Sequence, residues 1–151
     1  MNVLSAAICE HASVREGLLT TVASGITRLY RSTLPGSILA FIAILVEVPP
    51  EDRQFPHEIT IRITAPSGKE VFKLDGGFQV NPGPDTDPSE TSLFPLPVDL
   101  RQIGADEYGW HNVDISIDSA DPITLRFKVV QRPPQTGQTA PMSTPDQKLQ
   151  H

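Results

Sequence analysis

The sequence predicts an all-β fold: an antiparallel β-sandwich of about eight short strands, immunoglobulin-like or similar. Three observations predict it. Apolar and polar residues alternate with period two in the best-defined segments, turn-forming residues separate those segments, and Pro 15 with Gly 10 in 151 residues leaves little room for helix. A closed β-barrel is the alternative carried by the same signals. The length fits one domain, placed at residues 1–131, followed by a proline-rich tail at 132–151.

Taken in order, Val3–Glu10 reads as a strand, and so does Leu18–Arg31, with Gly25 as a bulge or bend. Val14, Leu18, Leu19 and Val22 also fit helical spacing. The threonines at 20, 21 and 27, with Gly17 and Gly25, favour the extended reading. Ile38–Val48 is apolar on both parities, and a strand apolar on two sides must be covered on two sides. Its second cover is either a loop or the N-terminal segment of the same chain, or another protein. Leu39, Phe41 and Leu45, on the second parity, are therefore the interface candidates.

Alternation is cleanest at Ile59, Ile61 and Ile63, with Glu58, Thr60, Arg62 and Thr64 between them. Pro66-Ser67-Gly68 punctuates a hairpin to a strand carrying Phe72, Leu74, Phe78 and Val80, interrupted by Gly76-Gly77. Val113, Ile115 and Ile117 alternate with Asp114, Ser116 and Asp118. A turn at Ala120-Asp121-Pro122 leads to Ile123, Leu125, Phe127 and Val129. Tyr108 and Trp110 open the penultimate strand and are expected to plug one end of the core. Residues 132–151 hold four prolines and only Met142 and Leu149 as large apolar residues, so the tail is expected to be disordered.

The formal charge of −6 sets the overall field against phosphate backbones, and Arg28 and Arg31 on one strand split between its faces, so nucleic acid is not an expected partner. No basic residue precedes the first apolar stretch, and Ile38–Val46 is too short to span a bilayer; the expectation is a cytoplasmic protein with no membrane partner. Neither a nucleophile elbow nor a glycine-rich phosphate loop occurs, and no catalytic residue or cofactor is assigned.

Four residues are candidate metal ligands. Cys9 and His11, two apart on a strand, would share a face and form half of a zinc site, or pair a thiol with a base. Asp85 and Asp87, in the loop NPGPDTDPSE, bring oxygen ligands of the kind calcium takes. Solvated loop acids and an inert buried cysteine explain the same residues without a metal.

Six stretches in order resemble a bacterial family of small uncharacterised proteins, a domain of unknown function. They are Val14-Arg15-Glu16-Gly17-Leu18-Leu19, Gly25-Ile26-Thr27-Arg28-Leu29, Val46-Glu47-Val48-Pro49-Pro50, Pro56-His57-Glu58, Pro97-Val98-Asp99-Leu100 and Tyr108-Gly109-Trp110. The resemblance spans the domain and leaves the tail outside. It implies a compact β-rich domain and brings no activity, ligand or catalytic residue with it.

Two functions fit these features. The first is a non-enzymatic module that binds a protein partner or a second copy of itself, from the doubly apolar strand and the missing catalytic motifs. The alternative is a small-ligand or metal module in which Trp110, His111 and the Asp85/Asp87 loop converge at one rim.

Overall fold

The computed structural model describes residues 1–133. It is all-β, with no helix among the described residues, and none of its sheets closes into a barrel. The expected disordered tail lies, from residue 134 onward, outside the described residues.

Three strands form one sheet in the order β1–β6–β9: β1 (Asn2–Cys9), β6 (Phe41–Val48) and β9 (Ser92–Asp99). Five form a second, in the order β4–β12–β11–β7–β8: β4 (Arg28–Arg31), β7 (His57–Thr64), β8 (Glu70–Phe78), β11 (Gly109–Ile117) and β12 (Ile123–Gln131). All pairs in these sheets are antiparallel except β4 with β12. A hairpin of β2 (His11–Arg15) and β3 (Leu18–Val22) and a short bridge of β5 (Gly36–Ser37) with β10 (Gly104–Ala105) complete the chain.

Period two explains the core. Ile42, Ile44, Val46 and Val48 of β6, Ile59, Ile61 and Ile63 of β7, Val113, Ile115 and Ile117 of β11, and Phe127 and Val129 of β12 belong to one buried cluster shared by both sheets. Fully burying each such side chain contributes about 1.5–3 kcal/mol.

Tyr108 and Trp110 do not plug this core; both are solvent-exposed. The inward parity of β11 runs through Val113, so the residue that enters the core at that end is His111, stacked on Phe127 at 5.0 Å. Gly109 holds φ +116, and a Cβ there would meet Pro66 Cγ at 3.0 Å, so this position needs glycine.

Leu18–Arg31 is two strands rather than one. The chain leaves β3 at Val22 and enters β4 at Arg28, and the Gly25 and Ile26 amides between them both donate to the Ile8 carbonyl. β8 runs unbroken through Gly76-Gly77, paired opposite Ile59 and Glu58.

Candidate functional site

The second face of β6 is divided in two. Cys9 of β1 and Phe41 and Ala43 of β6 form a separate buried cluster with Ala12 and Leu19 of the β2–β3 hairpin, which folds over this end of the sheet. Phe41, one of the interface candidates, is thus covered within the chain. His11 lies edge-on to its ring at 5.1 Å, and the Arg101 guanidinium sits 4.9 Å from the ring centroid. Arg101 in turn grips Asp99 and holds its carboxyl down at about 2.

Beyond the hairpin the same face is open. Leu45 stands opposite Ser5 and Pro95. Between Val3 and Ser5 the register slips by one residue, a bulge that turns Leu4 outward beside Ser5. Leu93 follows on β9. Leu4 and Leu93 are each 52% exposed, and Leu45 is half-buried. Leu39 lies apart, in the left-handed turn before β6 (φ +52), with its side chain exposed.

The candidate metal ligands do not assemble. Among the described residues, no three His, Cys, Asp or Glu side chains come together in a way that could hold a metal. The chain turns at Glu10, so Cys9 pairs into the β1–β6 ladder and His11 into the β2–β3 hairpin. Burial pushes the Cys9 thiol up, with the backbone bond from His11 opposing, and its Sγ contacts the Phe41 carbonyl at 3.8 Å. Asp87 spends Oδ1 on the Ser89 hydroxyl and amide, at 2.6 and 2.8 Å, which lowers its carboxyl.

Trp110 and His111 lie at the Thr64 end of β7, opposite Asn112. The loop bearing Asp85 and Asp87 follows Phe78, which pairs with His57 at the other end of β7. About 3.3 Å per residue over this strand puts the two groups on the order of 20 Å apart. They share no rim.

Two buried polar groups escaped the sequence reading. Arg53, 5% exposed, comes from the β6–β7 loop and drives its guanidinium under residues 87–90. There Nη2 donates to the carbonyls of Asp87, Pro88 and Glu90, while Nε is buried without a partner. A cleft of about 420 Å³ opens beside it, lined in part by Pro50, Gln54, Gln79 and Pro82. Replacing Arg53→Met is expected to release this loop and to cost about 1–3 kcal/mol. Limited proteolysis should show new cleavage within 81–91, and an uncut loop at unchanged stability would contradict the assigned role.

His57, 5% exposed, has Nδ1 2.7 Å from Asp118 Oδ2 and Nε2 2.8 Å from the Asp52 carbonyl. Both partners accept, so the geometry favours the imidazolium, the form in which both ring nitrogens donate. Burial opposes that charge, but the bonds to Asp118 and Asp52 and their charges outweigh it and raise the pKa above 6.5. His111 is the reverse case. Its Nδ1 donates to the Gly109 carbonyl at 3.1 Å, Nε2 is buried without a partner, and burial lowers its pKa despite that bond and Glu107. No signal in the sequence pairs His57 with a residue 61 positions on.

No helix among the described residues is long and apolar enough to cross a membrane. No curated protein and no solved structure matches the chain. One family match spans residues 4–138, and it takes in every one of the six stretches noted above. The chain belongs to that family, a family of unknown function, DUF6941.

Proposed function

We propose that this chain is a non-enzymatic, cytoplasmic protein-binding module, a β-sandwich that self-associates through the open half of the three-stranded sheet's outer face. The observation that carries the reading is the division of that face: closed at one end by the β2–β3 hairpin, it leaves Leu4, Leu45 and Leu93 uncovered around Glu47, which stands opposite Leu93. Edge-to-edge growth of the sheet is disfavoured on both sides. Pro95 and Pro97 remove amide donors from edge strand β9, and the bulge at Leu4 breaks the ladder of edge strand β1. Face-to-face packing of two copies buries the leucines without using either edge.

Sedimentation equilibrium over a range of concentrations tests it. The wild type should associate, and Leu4→Arg with Leu93→Arg should be monomeric, with a melting temperature equal to that of the wild type diluted to monomer, because both side chains are in solvent in the single chain. The expected weakening is about 2 kcal/mol or more, as for residues central to an interface. A wild type that stays monomeric at every concentration sinks the self-association.

A second reading, a small-ligand module, is favoured by the cleft beside Arg53 and the unpartnered Nε of that residue. Its test is a screen of carboxylate-bearing compounds for a rise in melting temperature that Arg53→Met abolishes.

A further inference from the structure

The solvent face of the five-stranded sheet carries a feature independent of the leucine surface. On it, Trp110 stands opposite Lys128, and Lys128 opposite Arg28, in one row across β11, β12 and β4. Arg126 is next along β12 and Tyr30 next along β4. The Arg126 guanidinium lies 4.8 Å and the Lys128 ammonium 5.9 Å from the indole centroid, so two cations converge on one exposed ring. Trp110 is 41% and Tyr30 47% exposed.

The cations of this corner have no acidic partner among the described residues. Among the described residues, Arg28, Arg126 and Lys128 form no ion pair, whereas Arg62 is bridged to Glu70 and Lys73 to Asp75 further along the same face. Asp114, the carboxylate next along β11, takes its hydrogen bond from Thr124. Arg31 is turned away and donates to the carbonyls of Tyr30, Ser37 and Ile38. A chain of net charge −6 thus gathers, at one corner, two aromatic rings and three cations that no carboxylate pairs among the described residues.

We propose that this corner, Arg28, Tyr30, Trp110, Arg126 and Lys128, docks a short acidic segment of a protein partner. Charge complementarity selects the acidic character, and the flat aromatic surface supplies contact area for the segment's apolar stems. The extent of the patch selects a short segment over a nucleic-acid strand. Past Arg126, towards β7 and β8, the cations of this face are already paired with carboxylates, so a long polyanion running that way would meet no further free cation.

The test uses the full chain and a fluorescein-labelled oligoglutamate peptide, with oligothymidylate of equal length as competitor. Trp110 is the chain's only tryptophan, so its emission reports on the corner directly, and peptide anisotropy gives a second reading. The expected result is saturable peptide binding that shifts the emission and weakens with salt. Arg126→Glu with Lys128→Glu should reduce the affinity about 10-fold or more, which is about 1.4 kcal/mol, with the melting temperature unchanged. Trp110→Ala, read by anisotropy, should weaken binding several-fold with all charges kept. Absence of peptide binding at low salt overturns the proposal. So does binding indifferent to the charge reversals or to Trp110→Ala, or a preference for oligothymidylate.

Discussion

Phe41→Asp is expected to destabilise the domain by about 3–5 kcal/mol, enough to unfold much of a marginal population at room temperature. Phe41 is 6% exposed, and its ring is the centre on which Cys9, Ala12, Ala43 and Leu19 close. Substitution by aspartate removes the ring and leaves a carboxylate in an apolar pocket beside Arg101, whose guanidinium is already bound to Asp99. The loss should appear in urea denaturation as a lowered midpoint with exposure of the Cys9 thiol. Leu45→Asp, on the same strand face two pairs further on, is half-exposed and should cost about 1 kcal/mol. Equal losses at the two positions would contradict the divided face.

Asp118→Ala is the second large effect. Asp118 accepts from His57 at 2.7 Å and from the Glu58 amide at 2.8 Å, tying the β11–β12 turn to the start of β7. Truncation leaves a buried imidazolium bonded only to the Asp52 carbonyl. Loss of one partner of a buried pair costs about 3–5 kcal/mol; Asp118 is 41% exposed, and water softens this to about 2 kcal/mol.

The pH dependence follows from the two shifts. His57 has its pKa raised on folding, so its stabilisation is full below 6.5 and is lost as pH rises through the folded value. Asp118 has its carboxyl lowered by the Glu58 amide and His57, against burial, so its share is present above 3.8 and lost as pH falls through the folded value. The pair therefore contributes most between those limits. His111 acts oppositely. Its lowered pKa leaves the folded state unprotonated while the unfolded chain takes a proton, so stability falls as pH drops below 6.5. Urea midpoints should show Asp118→Ala least costly at alkaline pH, and His111→Phe flattening the decline below 6.5. A cost of Asp118→Ala that is flat with pH would sink the imidazolium assignment.

Much of the fold was legible because period two survives wherever one face is wet. Ile59 to Ile63, Val113 to Ile117 and Phe127 to Val129 all face inward as their alternation requires. β9 was not legible. Phe94-Pro95-Leu96-Pro97 carries no strand signal, since prolines are barred from central strands, but β9 lies at a sheet edge where missing donors cost nothing. The β2–β3 hairpin was blurred for a related reason. It is an outer layer with Val14, Leu18 and Val22 exposed, so its alternation is weak and helix spacing competes.

Of the candidate site, the doubly apolar strand was visible, but not where its second cover ends. That boundary depends on where the hairpin folds back, which no local pattern encodes. The cation–aromatic corner was hidden for the same kind of reason. Arg28, Trp110 and Lys128 are far apart in the chain and become neighbours only through the β4–β12–β11 register.

Thiol labelling of a Leu93→Cys variant reads both halves of the divided face at once. Cys9, the chain's only cysteine and wholly buried beneath the hairpin, stands for the closed half, and the introduced thiol for the open one. Cys9 is expected to stay inert under native conditions. The introduced thiol should react rapidly in dilute protein and become protected as the protein is concentrated. A Cys9 that reacts as readily as the new thiol, or a new thiol equally reactive at every concentration, would contradict this reading.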